Sequence, residues 1–61
     1  MSDRWVRCTD LKGKPSFINL SEALAMHRQM TGGEELTIVL FRGSNLEVKE
    51  TPDQILGLKA L

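Results

Sequence analysis

The chain has 61 residues, 41% hydrophobic and 26% charged, with eight Lys and Arg balancing eight Asp and Glu. A domain of this size hides only about 60% of the surface its unfolded form exposes and keeps about 3–5 kcal/mol of net stability, which works against a deep enclosed active site. Zero net charge supplies no long-range field to draw in a nucleic acid or an anionic membrane, while the apolar content is that of a chain that folds.

Residues 1–30 carry five basic and three acidic side chains and residues 31–61 carry three and five, a split of +2 against −2 that is ordinary scatter, not a basic arm. Cys8 is the single cysteine. It cannot form an internal disulfide, and no second thiol or histidine cluster sits at metal-ligand spacing, so a reducing cytoplasm and no metal or cofactor are expected. Met1-Ser2-Asp3-Arg4-Trp5 lacks the apolar stretch of a secretory signal. No apolar run approaches the roughly 20 residues that a membrane crossing needs.

The first strand is expected at residues 4–9, where Val6 and Cys8 alternate with Trp5, Arg7 and Thr9. A turn through Gly13 leads to Pro15 and a second strand at 15–20, with Ile18 and Leu20 on one face and Phe17 and Asn19 on the other. Residues 21–30 contain no β-branched side chain and have helix-forming composition, yet Leu24 and Met26 continue the alternation of Ile18 and Leu20. A strand at 23–29, joined by Gly32-Gly33 to the next strand, is the reading adopted, and a helix over 21–30 is the alternative.

Leu36-Thr37-Ile38-Val39-Leu40-Phe41 is β-branched and apolar on both faces, which predicts a central, doubly covered strand at 36–42. The turn Arg42-Gly43-Ser44-Asn45 then hands it to a strand at 46–50. Thr51-Pro52-Asp53-Gln54 combines a capping hydroxyl, proline at the first helical position, an early acid and a capping-box glutamine, so a short helix is predicted at 52–60. Ile55, Leu56 and Leu58 are its candidate sheet-facing residues, and Gly57 weakens it by about 1 kcal/mol relative to alanine. The fold class is therefore mainly β, a curled antiparallel meander of five strands, SH3-like or open, plus a C-terminal helix in one domain.

Trp5-Val6, Thr9, Gly13, Phe17-Ile18-Asn19-Leu20, the double glycine and Glu50-Thr51-Pro52 form a pattern that resembles short bacterial proteins of about this length. More distantly, it is similar to the small flagellar-operon β-meander proteins. The resemblance implies a curled antiparallel meander followed by a short helix and favours a strand over 21–30. The chain departs from the flagellar set at Cys8, where leucine is usual, and in its Ala/Met-rich third segment. No catalytic residue carries over.

Cys8 and His27 are the only nucleophile and base available, and neither has a neighbourhood that would activate it. The expectation is a packed Cys8 and a partly solvated His27. Gly13-Lys14-Pro15 lacks the upstream glycine of a phosphate loop, and its proline removes a backbone donor. The eight acids are scattered, with no spacing for a catalytic pair or a calcium loop. No catalytic, cofactor or metal residue is assigned.

The candidate interaction surface is Trp5, Arg7, Phe17 and Arg28, which strand alternation can place opposite the Val6/Ile18 core. A competing expectation places Trp5 and Phe17 under the C-terminal helix with Val39 and Phe41. The leading functional reading is a small non-enzymatic module that binds a protein partner or a second copy of itself. The weaker alternative is single-stranded nucleic acid on the sheet face, using Trp5, Phe17 and Arg4, Arg7, Arg28 and Arg42. A small-molecule enzyme ranks third.

Overall fold

The computed structural model describes residues 3–61 and consists of five antiparallel strands in two sheets, with a short helix at the C-terminus. β1 (Trp5–Thr9) pairs with β2 (Pro15–Asn19), so that Val6 faces Ile18 and Arg7 faces Phe17. β3 (Ala25–Thr31) pairs with β4 (Glu34–Phe41), and β4 with β5 (Ser44–Val48). The helix α1 spans Pro52–Leu56.

The turn between β1 and β2 is organised by Asp10. Its carboxylate accepts from the backbone N–H groups of Lys12 and Lys14, each at 2.9 Å. Between β3 and β4, Gly32 (φ +59°) and Gly33 (φ +82°) make the two-residue connection from Thr31 to Glu34. Positive φ at both positions is what a type I′ hairpin turn requires, and it suits the twist of the flanking strands.

The two sheets are joined where β5 leaves its ladder, by the Lys49 N–H donating to the Thr9 carbonyl at 2.9 Å. The C-terminal residue is tied to β1 separately, by the Leu61 N–H donating to the Trp5 carbonyl at 2.8 Å. The β1-β2 hairpin and the β3-β4-β5 sheet enclose one core, and no ladder joins the two sheets among the described residues, so no barrel closes. Val6, Cys8, Ile18, Val39, Val48 and Ile55 form the buried cluster inside this curl, with Leu20, Ala23, Met26, Phe41, Leu46 and Leu58 packed against it.

Residues 21–30 do not form the alternative α-helix. A single 3-10 turn, Leu20–Glu22, follows β2, and its preceding Asn19 carboxamide accepts from the Ser21 N–H. Extended chain then enters β3, because pairing seven residues with β4 satisfies more backbone groups than an isolated short helix could. Helical propensity in this segment is overridden by the hairpin.

The C-terminal helix is shorter than the predicted 52–60. It ends at Leu56, capped by Gly57, and of its candidate inward residues Ile55 is buried, Leu58 is half-buried and Leu56 is exposed. The capping box forms as the sequence specifies: the Thr51 hydroxyl accepts from the Gln54 N–H (3.1 Å) and the Gln54 side chain accepts from the Thr51 N–H (2.9 Å). Thr51→Ala is therefore expected to cost about 1 kcal/mol, measurable as a lower urea midpoint with an unchanged slope.

β4 is central but not fully covered on its second face. Val39 and Thr37 are buried on the core side and Leu36 is buried outside the main cluster, whereas Ile38 and Leu40 remain half-exposed. Among the described residues no α-helix lies over that face, since α1 contributes Ile55 to the core inside the curl.

Candidate functional site

The outward-facing positions of β1 and β2 are Trp5, Arg7 and Phe17. Trp5 is 45% exposed and Phe17 55%, although side chains of this kind normally dominate cores and interfaces. Ladder register places Phe17 directly opposite Arg7 and one step diagonally from Trp5, within reach on one sheet face. The competing expectation that Trp5 and Phe17 lie under α1 is overturned. Val6, Cys8 and Ile18 alternate with them and occupy the core that Ile55 seals, so the aromatic pair points away from it.

Arg7 makes no hydrogen bond or ion pair with a side chain among the described residues. Arg28, the fourth predicted member of this surface, lies instead in the three-stranded sheet. Its guanidinium donates to the Thr37 hydroxyl at 3.0 Å and to Glu35 at 3.3 Å. Arg4 is likewise engaged, donating to the carbonyl of Leu56 (2.7 Å), the last residue of α1, and to that of Leu58 (3.0 Å) just beyond it. A cation at a helix C-terminus satisfies carbonyls that have no helical partner and complements the helix dipole.

The joint between β1 and β5 is a polar cluster that alternation patterns do not reveal. The Glu50 carboxylate accepts from both the N–H and the hydroxyl of Thr9, each at 2.8 Å, while the Glu50 carbonyl accepts from the buried Thr37 hydroxyl. Burial pushes the Glu50 carboxyl up, but the hydrogen bonds from Thr9 and from its own N–H outweigh it and hold the group below its ordinary value of 4.5. Asp10 is also held low, chiefly by the Lys14 N–H, with the Lys12 N–H and both lysine charges helping to outweigh the opposing desolvation.

A groove of about 650 Å³ runs between this joint and α1, lined by Thr9, Lys49, Glu50, Asp53, Gln54, Gly57 and Leu58. Two of its polar groups are already engaged within the fold: Glu50 holds Thr9, and Gln54 closes the capping box. Cys8 and His27 do not line it. Cys8 is buried, and its thiol is pushed up to about 11 by burial and by the nearby Glu50 charge, while His27 is exposed on β3. They share no site, and among the described residues no group of three or more His, Cys, Asp or Glu is placed to hold a metal ion.

What the surface can do chemically follows from its composition: two rigid aromatic faces and a guanidinium free to form a charge-assisted hydrogen bond. Sequence alternation identified these three residues but also admitted the covered alternative. In comparisons with known proteins, the chain matches no protein-family model, no curated protein and no solved structure.

Proposed function

We propose that this domain is a non-enzymatic protein-interaction module whose contact surface is the outer face of β1 and β2. Trp5 and Phe17 are the apolar anchors and Arg7 supplies the directional polar contact. The observation that carries this reading is the joint exposure of the two aromatic side chains on one sheet face, beside an arginine with no side-chain partner among the described residues. Tryptophan and arginine are the residue types most enriched where binding energy concentrates.

Two features support a protein partner over the alternatives. Of the four arginines available for phosphate contact, Arg4 and Arg28 are already committed within the fold, which weakens the single-stranded nucleic-acid reading. A thiol as buried and as weakly acidic as Cys8 is the opposite of an activated nucleophile.

The test compares the native chain with Trp5→Ser/Phe17→Ser. Both side chains are about half exposed and lie outside the buried cluster, so the variant is expected to lose no more than about 1 kcal/mol of stability. A partner that cross-links to the native chain in extracts of its own host, and binds the purified native chain, should bind the variant at least tenfold more weakly. Equal binding by the two proteins sinks the proposal. A shift of Trp5 fluorescence on titration with a mixed-sequence oligonucleotide at low salt would favour the nucleic-acid reading instead.

A further inference from the structure

β3 is the one strand with no buried residue among the described ones; every other strand contributes at least one. Its ladder to β4 uses one edge, and no backbone hydrogen bond among the described residues reaches the other. Ala25-Met26-His27-Arg28-Gln29-Met30-Thr31 contains no proline, glycine or lysine, the residues that usually blunt a free edge. Its single full charge, Arg28, is turned to its own sheet by Thr37 and Glu35. Leu24 and Met30, at 68% and 67% exposure, stand three residues to either side of His27.

We propose that this edge is filled by β3 of a second copy of the chain, paired antiparallel about a twofold axis through His27. The pairing sets Leu24 of one copy opposite Met30 of the other, Ala25 opposite Gln29, Met26 opposite Arg28 and His27 opposite its own counterpart. A continuous six-stranded sheet results, in the order β5-β4-β3-β3-β4-β5.

Charge and apolar exposure select this register. Centring the axis on Arg28 would set two guanidinium groups directly opposite one another, which destabilises an antiparallel pair. An axis through Met26 would set Leu24 opposite Arg28 and Met30 opposite Glu22, leaving both exposed apolar side chains against charges. With the axis at His27 the arginines are staggered and the two apolar side chains meet. The Trp5/Arg7/Phe17 face belongs to the other sheet and stays free, so this self-association is independent of the partner binding proposed above.

Residues on a twofold axis are the only ones that cross-link to themselves across it, and directly opposed positions lie close to disulfide distance. Under mild oxidation His27→Cys should become mainly a covalent dimer, whereas Ala25→Cys alone should not. An equal mixture of Ala25→Cys and Gln29→Cys should give the mixed dimer, with the buried Cys8 taking no part. In solution the native chain should have twice its 6.8 kDa mass, and Met30→Lys, at an exposed position, should return it to monomer with unchanged far-UV circular dichroism. A native chain that is monomeric at millimolar concentration, or cross-linking from Ala25→Cys alone as efficient as from His27→Cys, overturns the proposal.

Discussion

Replacing Ile55 by alanine is expected to leave the chain largely unfolded. Ile55 is fully buried and belongs to the cluster formed by Val6, Cys8, Ile18, Val39 and Val48. Truncating such a side chain removes about 2–5 kcal/mol, through lost transfer energy and the cavity left behind. That loss is comparable with the whole stability of about 3–5 kcal/mol available at this size. A helix as short as Pro52–Leu56 has no independent stability with which to compensate. The adjacent Leu56 is exposed, so Leu56→Ala should shift stability by only about 0.5 kcal/mol. Urea titration followed by far-UV circular dichroism separates the two, and similar midpoints would refute the assignment of Ile55 as the seal of the core.

The second large effect is expected at Glu50. Glu50→Ala strips the Thr9 N–H and hydroxyl of their acceptor and is expected to cost about 1.5–3 kcal/mol, the range for hydrogen bonds to a charged group. Glu50→Gln should cost less, because a carboxamide oxygen still accepts from the Thr9 N–H while the Thr9 hydroxyl can turn to accept from the amide.

The pH dependence follows from the direction of the shift. Glu50 is held below its ordinary value of 4.5 in the folded state, so the folded form binds fewer protons than the unfolded one as the group titrates. Its stabilising contribution is complete above the unfolded value and disappears as pH falls through the folded one. Asp10 acts in the same direction. The native chain should therefore lose stability on acidification below about pH 5, and Glu50→Gln should flatten that decline. An identical acid profile for the two proteins would contradict the role given to the Thr9–Glu50 pair.

Local pattern made the hairpins legible. Period-two alternation placed Val6, Cys8 and Ile18 inward, the double glycine located the β3–β4 turn, and Thr51-Pro52-Asp53-Gln54 marked the helix start. The third segment was ambiguous because its composition favours helix and only its pairing with β4 decides otherwise. The helix end was overestimated, since Gly57 terminates it where apolar residues continue to Leu61.

Contacts between distant residues were not legible. Thr9 to Glu50, Arg4 to the end of α1, and Leu61 to Trp5 each join residues more than 40 positions apart, and no local spacing encodes them. The same limit explains the candidate surface. Alternation grouped Trp5, Arg7 and Phe17 correctly but could not show that the helix seals the inner face of the curl. Nor could it show that Arg28 is spent on Thr37 and Glu35.

The most direct test of the interaction surface uses Trp5, the only tryptophan in the chain. In the free protein its fluorescence should lie to the red of a buried tryptophan and be open to a neutral quencher, and it should shift to the blue and become protected when a partner binds. A blue-shifted, protected Trp5 in the free chain would mean that the aromatic face is already covered, and would contradict the account.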